Sequence, residues 1–188
     1  MDNNRLNILI FTNSYTPHVG GVTRSVESFA EQYRQLGHRV LIVAPEFSGM
    51  PENEVDVLRI PALQQFNGSD FFLILPVPGL LKNKLEQFKP HIVHANQPFL
   101  LGMTALRIAR ARNLPLVFTH HTLYEQSAHY VPENSPTMQE FAVALATHYS
   151  NLADLVFAPS ESIARLLQQR GVQTPINIVP TGLHLERF

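Results

Sequence analysis

The 188-residue sequence carries a net charge of -1, with 45% apolar residues, 15% charged residues and no cysteine. That balance excludes a disulfide or thiolate–metal framework and argues against nucleic acid, which needs a concentrated positive field. The length suits one domain that buries about two thirds of its unfolded surface, and no apolar run nears the roughly 18 residues of a spanning helix.

Residues 1–5 lead into only a brief apolar segment, which is not a secretory leader, so the expected setting is the cytoplasm. Residues 6–11 are apolar apart from Asn7, the pattern of a central parallel strand buried on both faces. A long loop follows, with Tyr15, Pro17, His18 and the pair Gly20-Gly21. From Val22 the period changes: Val22, Val26, Phe29, Ala30 and Tyr33 share one face of a helix, and Gly37 supplies its left-handed stop. Residues 39–44 form the next strand, closed by Pro45, and residues 55–60 a third.

Residues 66–81 are unusually apolar and contain Pro76 and Pro78, which disfavour a regular central strand. They suit a buried strand and turn, an apolar lip beside a crevice, or a surface that dips into a lipid interface beside Lys82 and Lys84. Residues 80–88 make a modest amphipathic helix ended by Pro90, and 91–95 another buried strand. Residues 99–110 are helical and apolar almost all round, which predicts packing on two sides. Residues 116–119 are a strand. Met138, Phe141, Ala142, Leu145, Tyr149 and Leu152 mark a helix of some four turns, and 154–158 a strand. Ser160 is placed to cap a helix that stops at Gly171, and 176–179 form a last strand. Alternating strands and helices predict a three-layer α/β domain with a mostly parallel sheet.

In such sheets ligands bind beyond the carboxyl ends of the strands. There the strand 116–119 runs into His120, His121 and Thr122. Adjacent imidazoles at that place can donate to or accept from sugar hydroxyls and phosphates, or they can simply satisfy loop carbonyls. Gly20-Gly21 before a helix can free backbone amides for an anion, helped by the helix dipole, or can serve an entry turn that needs positive φ. The dinucleotide pattern G-x-G-x-x-G is absent, so Glu46 lacks the glycine partner of a ribose-binding acid. His94 lies within an apolar run and reads as a core histidine bonded to a carbonyl. Asn96 and Gln97 lie past the strand end and read as facing the crevice. Nine histidines include no H-E-x-x-H spacing, and there is no G-x-S-x-G elbow, so neither a metal nor a serine nucleophile is expected.

Five stretches in register carry a resemblance: Tyr15-x-Pro17-x-x-Gly20-Gly21-Val22; His91-Ile92-Val93-His94-Ala95-Asn96-x-Pro98; Phe118-Thr119-His120-His121-Thr122; Ala153-Asp154-x-Val156-x-Ala158-Pro159-Ser160; and Val179-Pro180-Thr181-Gly182. Together they resemble the N-terminal domain of a glycosyltransferase family 4 enzyme, one Rossmann-like half of a GT-B fold. Through Thr122-Leu123-Tyr124-Glu125 and His129-Tyr130-Val131-Pro132 the chain is similar to bacterial lipid glycosyltransferases of the diacylglycerol glucosyltransferase kind.

The resemblance implies retaining transfer of a sugar from a UDP- or GDP-sugar to a lipid or small hydroxyl acceptor, with no other cofactor. It puts Gly20 and Gly21 on the donor, His121 as the catalytic residue against the donor sugar, and Tyr15, Asn96, His120, Thr122 and Tyr124 on the acceptor side. Family members often have histidine where Asn96 stands. It further implies an acceptor domain over residues 1–180, a linker beginning at 181–188, and a donor domain outside this chain. The piece alone would then be inactive, prone to pair with a second copy, and cytoplasmic or peripheral at the inner face of a membrane. The rival expectation is a non-enzymatic nucleotide- or carbohydrate-binding module.

Overall fold

The computed structural model describes residues 5–63, 73–74, 78–121 and 135–181. The expected strands form where apolar residues run continuously: β1 (Asn7–Phe11), β2 (Arg39–Pro45), β3 (Val57–Ile60), β6 (Ile92–Ala95), β7 (Leu116–Thr119), β8 (Leu155–Ala158) and β9 (Ile176–Ile178). They make one seven-stranded sheet in the order β3-β2-β1-β6-β7-β8-β9, with every pairing parallel. Two short strands, β4 (Ala62–Leu63) and β5 (Leu73–Ile74), pair antiparallel beside it. Leu9, Ile10 and Phe11 are fully buried, as a strand with layers on both sides requires.

Helix α1 (Gly21–Gln35) covers one face, where Val26 and Ala30 pack on Ile8, Ile10, Val40 and Ile42. The other face takes α2 (Pro78–Phe88), α3 (Leu101–Arg112), α4 (Pro136–Leu152) and α5 (Glu161–Gln169) around Leu9, Phe11, Val93, Leu116, Phe118 and Val156. The result is a three-layer Rossmann-like domain. Gly37, at φ 87°, ends α1 as expected, and the Ser160 hydroxyl accepts from the Ile163 amide at 3.4 Å to cap α5.

One helix differs from the sequence expectation. Helix α3 packs on one side only, through Leu101, Gly102, Ala105 and Ala109, and Met103 stays 54% exposed. Helix α4 buries Ala146, Tyr149 and Ser150, whereas Met138, Phe141, Leu145 and Leu152 are exposed. Small residues let α3 approach the sheet closely, and the Tyr149 hydroxyl sets the rotation of α4 by donating to Gly102 O at 2.7 Å. Most of the segment 66–81, and the acceptor-side candidates Thr122 and Tyr124, lie outside the described residues.

Candidate active site

The strand order reverses between β1 and β6, so the crevice of this sheet opens where those two strands end. At the end of β6, Asn96 is 1% exposed and bridges the two sides of that switch point. Its amide Nδ2 donates to Phe11 O at 3.2 Å, and its backbone N–H donates to the same carbonyl at 3.0 Å. Its Oδ1 lies 2.8 Å from His121 Nε2. Because Nδ2 is fixed on a carbonyl, Oδ1 is an acceptor, and His121 must carry its proton on Nε2. The lone pair of the neutral ring then sits on Nδ1. Burial and the neighbouring His120 hold the His121 pKa down to about 4, so the ring is neutral near pH 7.

The β1–α1 loop is folded by its own polar residues. Thr12 Oγ1 donates to Ser14 O at 2.8 Å, and the Ser14 and Thr23 hydroxyls meet at 3.0 Å, joining the loop to α1. Asn13 zips the loop to the segment after β6. Its N–H donates to Gln97 Oε1 at 2.8 Å, its Nδ2 donates to Phe99 O at 3.0 Å, and its Oδ1 accepts from the Leu101 N–H at 3.1 Å, capping α3 from outside.

Gly20 is the N-cap of α1 with φ −169°, and no side chain caps that end. This corrects the entry-turn alternative, since Gly20 is extended and neither glycine has positive φ. Packing does not require them either: a Cβ at Gly21 meets nothing within 4 Å, and one at Gly20 meets only the His18 ring at 3.6 Å. An uncapped helix N-terminus with two glycines leaves backbone N–H groups open to an anion.

The sequence candidates therefore separate. Asn96 directly follows β6 and His121 lies two residues past β7, while Gly20 and Gly21 open α1 at the far end of the loop that leaves β1. His120 is 2% exposed, its N–H on Phe157 O at 2.9 Å and its ring edge-on to Phe118, so it lies beneath the rim. Tyr15 is buried too, and burial raises its pKa. Asn96 and Gln97, expected to face the crevice, instead bond to His121 and to Asn13. Glu46, past the end of β2, donates its N–H to Ile60 O at 2.9 Å. A cavity of about 550 Å³ outside α4, lined by Val143, Thr147, His148 and Arg170, shares no residue with this crevice. Asn13 was not legible as a site residue, because its partners are 84 to 88 positions away.

His94 is a core histidine, as read from its strand, but its partner is the Thr119 hydroxyl at 2.6 Å and not a carbonyl. Phe29 and Phe157 pack edge-on against the ring, and burial followed by the nearby His121 holds its pKa down to about 3. Above the ordinary value of 6.5 the ring is neutral in folded and unfolded chains alike. Below it, the unfolded chain binds a proton that the folded chain refuses until about pH 3. Stability should therefore fall as the pH drops through that window, by about 1.4 kcal/mol per unit for each such ring. Urea midpoints between pH 7 and 5 should decline, less steeply in His94→Gln, and a flat profile would contradict a neutral buried ring.

A model of the family described as Glycosyltransferase Family 4 matches residues 19–187. The chain belongs to that family. It is similar to the alpha-monoglucosyldiacylglycerol synthase of Streptococcus pneumoniae, 27% identical over 184 residues, which are 97% of this chain and 42% of that protein. It is also similar to the GDP-mannose-dependent alpha-mannosyltransferase of Mycobacterium tuberculosis, 28% identical, over 96% of this chain and 48% of that one. Among solved structures, sucrose-phosphate synthase from Thermosynechococcus elongatus shares the fold at a TM-score of 0.69 and 16% identity, over 96% of this chain and 49% of that one. The chain thus spans about half the length of the family 4 relatives it matches. The expected fold class, one Rossmann-like half of a GT-B fold, stands.

Proposed function

We propose that this chain is the acceptor-side half of a retaining family 4 glycosyltransferase that moves a hexose from a UDP- or GDP-sugar to a lipid or small hydroxyl acceptor. The observation that carries it is the Phe11–Asn96–His121 hydrogen-bond chain at the switch point of a family 4 sheet. In this reading the Gly20 and Gly21 amides, at the positive end of α1, meet the donor's diphosphate or hexose. His121 orients the hexose as a neutral group, its Nδ1 accepting a sugar hydroxyl, and it stabilises developing charge through its dipole and not as a cation. Thr122 and Tyr124 belong to the acceptor side by position in the sequence. The nucleoside diphosphate is held mainly by a second domain. The names of two relatives, a diacylglycerol glucoside synthase and a GDP-mannose-dependent enzyme, support a lipid acceptor and a nucleotide-sugar donor.

Among the described residues no helix is long and apolar enough to cross a membrane. Among the same residues, no three His, Cys, Asp or Glu side chains gather in a way that would hold a metal.

The test is transfer from labelled UDP-glucose or GDP-mannose to diacylglycerol and glycosyl-diacylglycerol by the protein containing this chain, with the anomeric configuration of the product read by NMR. An α-linked glycolipid is expected, and a β-linked product would overturn retention. The 188 residues alone should bind UDP or GDP weakly. Low-micromolar binding in calorimetry would contradict the division of labour between the halves.

A further inference from the structure

The edge strand β3 contributes a side chain that none of the roles above uses. Arg59 is 9% exposed, and its guanidinium is held as a fork: Nε donates to Glu54 Oε2 at 2.6 Å and Nη2 to Glu54 Oε1 at 2.7 Å. The remaining bonds lead toward the crevice. Nη1 donates to Pro45 O at 2.9 Å, at the end of β2, and Nη2 donates to Thr16 O at 2.6 Å, in the middle of the β1–α1 loop. The same guanidinium lies over the Tyr15 ring, 5.4 Å from its centre. One planar cation thus ties two strand ends to the loop that delivers Gly20 and Gly21. Lysine has no such fork and could not hold both carboxylate oxygens and two diverging carbonyls at once.

We propose that Arg59, oriented by Glu54, is a positioning residue that holds the β1–α1 loop so that the Gly20 and Gly21 amides meet the donor; this rests on the reading of that loop given above. Asn13 secures the start of the loop to the segment after β6, and Arg59 secures its middle to the sheet edge. Between them the loop is pre-organised from both sides, which is how a backbone anion site gains affinity without further contacts.

The test is steady-state kinetics of Glu54→Gln and Arg59→Lys in the catalytically competent protein that contains this chain, using whichever of UDP-glucose and GDP-mannose supports turnover. A loosened loop weakens donor binding: donor KM should rise about tenfold while kcat changes less than about threefold. A role in stability alone would lower the active fraction, and so apparent kcat, at unchanged donor KM. Glu54→Gln keeps shape and one acceptor, so it provides the measurement if Arg59→Lys does not fold. Donor KM within twofold of the parent in Glu54→Gln, while His121→Ala is impaired, would overturn the positioning role. If His121→Ala is also unimpaired, the site reading fails and the positioning role falls with it.

Discussion

His121→Ala is expected to lower the turnover of the enzyme containing this chain by about ten- to a hundredfold, the usual loss when one positioned polar group is removed from a charged transition state. The ring is half-buried and neutral, with its Nε2 proton committed to Asn96 Oδ1 at 2.8 Å. Its orientation is therefore set before any substrate arrives. Removing the ring deletes the proposed contact with the donor sugar and leaves Asn96 bonded to Phe11 O, so the strand ends keep their pairing. The loss should fall on kcat more than on acceptor KM. Because burial keeps the pKa near 4, the parent's kcat should show no titration of this ring between pH 5 and 8. Unchanged kinetics in His121→Ala would remove the residue from the mechanism.

Among the described glycines, Gly102 should be the least tolerant of alanine. A Cβ at Gly102 would stand 1.8 Å from Gln97 O and 2.8 Å from Gln97 C, both backbone atoms that no rotamer change can move. The turn before α3 would have to shift, which costs on the order of 3 kcal/mol in a packed interior. The damage would spread to the site, since Gln97 Oε1 accepts from the Asn13 N–H and the Gly102 carbonyl accepts from Tyr149. A fall in the urea midpoint corresponding to that energy, accompanied by weakened activity, is the expected result; a midpoint within error of the parent would contradict the close approach. At Gly21, by contrast, a Cβ meets nothing within 4 Å.

These two residues show where sequence reasoning reached and where it stopped. The strands were legible because each is a continuous apolar run, and α1 because its apolar residues keep a helical period up to Gly37. The placement of His121 beyond β7 followed from the strand alone. Its hydrogen-bond partner did not, because Asn96 is 25 positions away and joins it only through the β6–β7 pairing. Gly102 was hidden inside a helical pattern, where a glycine commonly has no special duty. Which side of α4 turns inward was not legible, because Met138, Phe141 and Leu145 share the helical period with Tyr149, and only the Tyr149–Gly102 bond fixes it. Arg59 and Glu54 look like ordinary surface charges in the sequence, and only the fold brings the Arg59 guanidinium, held by Glu54, against Thr16 O.

In the proposed arrangement the Gly20–Gly21 amides and the His121 ring face one donor sugar across the β1/β6 switch point. A crystal structure of the protein containing this chain with an unhydrolysable nucleotide sugar tests it directly. The hexose should lie between those amides and the ring, with a hydroxyl hydrogen-bonded to His121 Nδ1. A sugar bound away from both, with the His121–Asn96 pair untouched by ligand, would contradict it.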